Sequence, residues 1–134
     1  MFSKYNDNVA AIALGLFLLG IASYVFQLFF TTEAWLLANE INVNAITIAR
    51  VMGGAWLGLG VGLFLTFLNG PDGQKIYFWT LGVAQIATLL VLLYHYLALK
   101  TPGTADDAAI VSVLTLLFLI GFFKIKSPIL PWST

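Results

Sequence analysis

The chain has 134 residues, a formal net charge of zero, no cysteine, 9% charged residues and a mean hydropathy of +0.96. Soluble domains carry roughly 25% charged residues, so composition alone excludes an ordinary water-soluble globule. The missing cysteines exclude disulfide and thiolate-metal chemistry, and the neutral balance offers no polybasic surface for nucleic acid.

The first apolar run covers residues 9–30. A helix crossing a bilayer needs about 20 apolar residues, in a range of about 17–25. Lys4 ahead of this run gives it a superficial likeness to a signal peptide. The apolar core of such a peptide is about 7–15 residues long, however, and no small-x-small cleavage site follows here. A retained first span is expected.

Next comes Thr32-Glu33-Ala34-Trp35-Leu36-Leu37-Ala38, with one apolar face and a tryptophan. It predicts a short helix lying in the membrane interface. Asn42 or Asn44 should cap the second span, at residues 45–68. The turn cluster Asn69-Gly70-Pro71-Asp72-Gly73 leads to a third span at 76–98. After Thr101-Pro102-Gly103-Thr104, the spacing of Thr104 and Asp107 resembles a capping box that starts the fourth span at Ala105, and that span covers residues 105–125. Beyond it, Pro128 and Pro131 bar a helix, and Trp132 reads as an interfacial anchor or a contact for a partner.

These elements predict an all-α polytopic membrane protein: four transmembrane helices in an antiparallel bundle, filling residues 1–134 as a single unit. Spans joined by short loops are expected to pack as neighbours. Lys4, Lys75, Lys124 and Lys126 share one side, whereas Glu33, Glu40, Asp106 and Asp107 share the other with Lys100. The positive-inside rule therefore predicts both termini in the cytoplasm.

Arg50 breaks the apolar pattern. It lies near the outer start of the second span, and its i+4 row reads Gly54, Gly58, Gly62. Two overlapping G-x-x-x-G units are a helix-packing device, so the row, Arg50 included, is expected to face a packed neighbour, preferably within the chain. Antiparallel spans bring Arg50, His95, Gln27 and Tyr24 to the outer level, with Glu40 in the loop above. Gln85, Thr88 and His95 form a polar stripe on the third span. The site readings are two: a hydrogen-bonded cluster locking the helices, with Arg50 paired to Glu40 or a loop carbonyl, or an outward pocket for a ligand. Locking is preferred.

His95 is the only histidine. One axial histidine suffices for a pigment or haem, but a bis-histidine haem is excluded, and the acids match no zinc spacing. Apart from Asp106 and Asp107 in the first turn of the fourth span, no carboxylate lies within a span, which disfavours proton-coupled transport, and no catalytic residue is assigned.

The segment Thr47-Ile48-Ala49-Arg50-Val51-Met52-Gly53-Gly54-Ala55-Trp56-Leu57-Gly58-Leu59-Gly60 resembles the second span of small bacterial four-helix membrane proteins of unknown function, the DUF4345 type. The resemblance implies a four-helix fold in a bacterial inner membrane, or an organelle membrane of bacterial descent, and no assigned activity. It carries over only Arg50, Gly53, Gly54 and Gly58; where the family has a late glycine-arginine element in the third span, this chain has Leu93-Tyr94-His95-Tyr96.

Three functions remain open. The first is a non-catalytic accessory or scaffold subunit, bedded in lipid beside other membrane subunits. The second is a small carrier or binding protein for a lipid-like or anionic ligand, using Arg50, His95 and Gln85. The third is a pigment or redox-cofactor subunit using His95.

Overall fold

A computed structural model describes residues 4–125. All the regular structure described is helical: α1 (Asn8–Phe30), α2 (Thr32–Ala38), a 3-10 turn (Val43–Ala45), α3 (Ile46–Asn69), α4 (Lys75–Leu97) and α5 (Thr104–Lys124). By length and composition, α1, α3 with its 3-10 lead-in, α4 and α5 are each able to cross a membrane. The four long helices alternate in direction and form an antiparallel bundle. One end carries α2 and the α4–α5 loop; the other carries the start of α1 and the α3–α4 loop. The reading of residues 127–132 lies outside the described residues.

Local chemistry sets the helix ends. The Asp7 carboxylate accepts the Ala10 N–H at 2.9 Å, capping α1. Asn42 accepts the Asn44 N–H at 2.8 Å, capping the 3-10 turn that leads into α3. At the start of α5 the expected capping box is not formed. Thr104 is already helical and its hydroxyl donates backwards to the Thr101 carbonyl at 2.7 Å, while Gly103 is the N-cap, in the left-handed region at φ +76°.

Eight residues of α1 are buried against four of α4, which makes α1 the central helix. It packs on α3 along one side and on α5 along the other, and α5 in turn carries α4. Sequence neighbours α3 and α4 do not pack backbone to backbone, contrary to the expectation from their short loop. The side chain of Tyr77 stands between them: its ring lies on Gly62, and its hydroxyl donates to the Leu59 carbonyl at 2.6 Å. A short loop limits how far two helices separate; it does not make them interdigitate.

The core joins all four long helices. Leu14, Phe17 and Ile21 of α1 meet Leu63 and Phe67 of α3, Phe78 and Leu81 of α4, and Phe118 and Phe122 of α5. Phe17 and Phe118 lie 5.5 Å apart between centroids and Phe118 and Phe122 5.7 Å, within the range of favourable aromatic pairs. Glycines let the backbones approach. Gly53 and Gly60, seven residues apart, both face α1, where an added Cβ would sit 3.0 Å from Leu28 and from Ile21 respectively.

Candidate functional site at the α2 end of the bundle

α2 is docked onto the bundle. Leu36 is buried with Leu28 of α1 and Ala49 of α3, and Trp35 packs beside them. The Thr32 hydroxyl donates to the Leu28 carbonyl at 2.6 Å, and Asn39 donates through its side-chain amide to the Trp35 carbonyl at 2.9 Å. The α4–α5 loop closes over the far end of α2, with Gly103 directly against the Asn39 carbonyl. Tyr24 lies under this cover, edge-on to Trp35 at 5.8 Å and to Trp56 at 6.5 Å, with its hydroxyl 3.9 Å from the Met52 sulfur. Asp107 at the start of α5 is near enough to interact electrostatically with it.

The residues expected to converge take separate places. Arg50 is exposed and has no ion pair or hydrogen bond among the described residues, so the expected pairing with Glu40 or a loop carbonyl is not made. Glu40 is exposed at φ +55°, and Gln27 is exposed at the end of α1. His95 is half-buried; its Nδ1 lies 3.2 Å from the Thr101 hydroxyl, and the Thr101 N–H donates to the His95 carbonyl at 2.9 Å. Its ring stands edge-on to Tyr94 at 6.0 Å. His95 thus ties the α4–α5 loop to its own helix.

Gln85 belongs to a different level. Ten residues of helix place it about 15 Å from His95 along the axis. It is 3% exposed and donates to the Thr115 hydroxyl at 3.0 Å and, at the long limit of 3.4 Å, to the Val111 carbonyl. Thr115, 4% exposed, donates to Val111 at 2.7 Å. This is a polar lock between α4 and α5, in which every buried side-chain nitrogen and oxygen of the described residues is satisfied. Gln85 does not reach Arg50.

The glycine row is split. Gly62 receives the Tyr77 ring, but a Cβ built on Gly54 or Gly58 meets none of the described residues within 4 Å. Both are exposed, as is Arg50. The expectation that Arg50, Gly54 and Gly58 face a helix of the same chain is therefore corrected. The row spirals from open surface at the α2 end to the Tyr77 contact at the other, because the helix repeat of 3.6 residues makes an i+4 row drift around the axis. Val51, Leu57, Val61 and Leu65 flank the open part and are exposed too.

Sequence reasoning missed Thr115 as the partner of Gln85, Met52 as the partner of Tyr24, and Tyr77 as the link from α4 to α3. Position along each span signalled only their depth. No protein-family model, curated protein or solved structure matches this chain.

The arrangement can lock helices, and it presents one unpaired cation above a shallow apolar trough. The hydroxyl it places beside a histidine, Thr101 at His95, joins the α4–α5 loop to α4. Among the described residues no three acids or histidines gather as a metal-ligand set.

Proposed function

We propose that the protein is a non-catalytic accessory subunit of a larger membrane complex, and that the outward face of α3 receives a partner helix. One observation carries this reading: the trough at Gly54 and Gly58 is filled by none of the described residues. Lipid chains are as apolar as the helix surface, so association in a bilayer depends on close backbone approach, which side-chain-free positions permit. Arg50 at the rim adds an unpaired cation able to bond a partner's carboxylate or carbonyl. In this reading both termini are cytoplasmic, the membrane is a bacterial inner membrane, and the likeness of residues 47–60 to the small bacterial four-helix proteins reflects kinship.

Gentle detergent extraction at native abundance tests it. The wild-type chain is expected to co-purify with other membrane subunits, and Gly54→Leu/Gly58→Leu to come out alone with unchanged thermal stability. Gly60→Leu is the control: it fills space already taken by Ile21, so it should destabilise the fold itself. Recovery of the wild type solely as a free monomer would sink the proposal.

A second reading has support from the same unpaired Arg50: a lipid-like or anionic molecule lying in the trough with its head on the guanidinium. Mass spectrometry of co-purified small molecules from wild type and Arg50→Ala separates the two. Loss of a specific anionic lipid, with protein partners retained, favours this second reading.

A further inference from the structure

A groove of about 470 Å³ opens where α4 turns into α5, with Tyr96, Leu97, Lys100, Thr101 and Ala105 in its lining. Lys100 is exposed and makes no ion pair or hydrogen bond among the described residues. The same holds for the Tyr96 hydroxyl. The Thr101 hydroxyl is already engaged with His95. Among the described residues no carboxylate lines the groove. Asp106, which follows Ala105, is exposed outside it, and Asp107 interacts with Tyr24 instead. The open polar groups of the groove are thus a cation and a hydroxyl.

The cation is held in place by the backbone around it. Lys100 takes φ +50°, a left-handed conformation uncommon outside glycine. On one side the Leu99 N–H bonds the Tyr94 carbonyl at 3.2 Å, and on the other the Thr101 N–H bonds the His95 carbonyl at 2.9 Å. Lys100 therefore stands on a fixed turn at the end of α4. That helix ends at Leu97, so the groove lies where an apolar span stops and lipid head groups begin. Leu97 and Leu90, two helical turns apart on α4, are both exposed and lead from the groove down the span. An ammonium and a phenol above an apolar track fit a phosphodiester with its acyl chain. A lysine binds phosphate as a point charge. A zwitterionic head group brings an ammonium of its own, so the lone cation favours a head group of net negative charge.

We propose that this groove holds the head group of an anionic phospholipid. Its phosphate lies on the Lys100 ammonium, the Tyr96 hydroxyl donates to it, and an acyl chain follows Leu97 and Leu90. The site is separate from the α3 trough and depends on neither reading of that face.

Nanodiscs of equal phosphatidylglycerol and phosphatidylcholine supply the lipids, and native mass spectrometry counts what stays bound after extraction. The wild type is expected to retain phosphatidylglycerol in preference to phosphatidylcholine. A lysine near a charged surface supplies about fivefold in affinity without any site, so Lys100→Gln should reduce retention by more than that. Ala105→Phe fills the groove and keeps the cation, and it too should release the lipid. Lys124→Gln, exposed at the other end of the bundle, and Arg50→Gln are the controls and should keep it. Lys100→Gln replaces an exposed side chain that has no partner among the described residues, so its thermal stability in lipid-free detergent should match the wild type. Equal losses in Lys100→Gln and Lys124→Gln would overturn the site in favour of general surface attraction. Loss in Arg50→Gln alone would move the lipid to the α3 trough. Equal retention of both lipids by the wild type would overturn the charge match. Thermal stabilisation by inorganic phosphate as large as that by phosphatidylglycerol would overturn the lipid in favour of a soluble anion.

Discussion

The hydroxyl of Tyr77 donates to the Leu59 carbonyl across the gap between α4 and α3, at 2.6 Å. Its ring covers Gly62 so closely that no Cβ fits there without moving it. Two helices whose backbones stay apart are thus bridged by a side chain. Interhelical hydrogen bonds in membranes are worth about 0.6 kcal/mol on average and up to about 1.7, and Tyr77→Phe should cost an amount in that range. Gly62→Ala displaces the ring as well as the bond and should cost more. Adding Tyr77→Phe to Gly62→Ala should then change little, because the bond is already broken. Unfolding in mixed micelles of the two single variants and the double variant measures all three; full additivity would show that the ring and the hydroxyl act independently.

The Gln85–Thr115 lock predicts an asymmetry. In Gln85→Leu, Thr115 keeps its own bond to the Val111 carbonyl and an apolar side chain of similar size fills the space, so the loss should be near the membrane average of about 0.6 kcal/mol. In Thr115→Val, the buried Gln85 amide keeps only the 3.4 Å contact to Val111. Leaving a buried donor poorly paired costs about 1–3 kcal/mol. Thr115→Val should therefore be the more destabilising of the two by thermal or denaturant unfolding. The reverse order would mean that Gln85 does more than tie α4 to α5.

These contacts mark where sequence reading stops. The four long helices were legible because an apolar run near bilayer length, bounded by residues such as Asn69-Gly70-Pro71, has few alternatives. Which helices touch was not legible, because the α3–α4 loop limits separation without setting packing, and the bulk of Tyr77 holds the pair apart. The Gly54–Gly58–Gly62 row was visible as a row. Which way it faces depends on Gly53 and Gly60 being chosen for α1 instead, and no helical offset reveals that choice. The depth of Gln85 and His95 could be read from their positions in the span. Their partners could not, since Thr115 is 30 residues away from Gln85 and shares no pattern with it. Thr104 misled for a local reason: a threonine hydroxyl both donates and accepts, and here it donates to Thr101.

Gly103 and Gly73 separate backbone strain from collision. Both have positive φ, +76° and +77°. A Cβ at Gly73 meets none of the described residues within 4 Å, whereas one at Gly103 would overlap the Asn39 carbonyl. Gly73→Ala should cost only the left-handed penalty, about 1–2 kcal/mol. Gly103→Ala should cost distinctly more and push α2 away from the loop, shifting the emission of Trp35, which packs on Tyr24. Comparing stability and fluorescence of the two variants isolates the second term. Equal losses with unchanged emission would mean that the loop yields without disturbing α2.

Tyr5 links stability to pH at the opposite end of the bundle. It precedes α1, is 4% exposed, and packs on Phe67 with ring centroids 4.8 Å apart. Thr66 commits its own hydrogen to the Leu63 carbonyl at 2.7 Å, which leaves Tyr5 as the donor in their mutual bond. Burial pushes the phenol from 10.0 up to about 12. The folded state therefore holds this proton at pH values where the unfolded chain has lost it. With the unfolded state binding fewer protons, stability falls as pH rises. The contribution of Tyr5 is complete below pH 10 and is lost progressively as pH climbs towards 12. Tyr5→Phe should lower stability at neutral pH by removing the hydrogen bond, yet flatten the decline between pH 10 and pH 12. Thermal midpoints of both proteins across that interval, in one detergent, provide the comparison. Parallel declines would place the alkaline sensitivity on another group and leave Tyr5 as a packing residue alone.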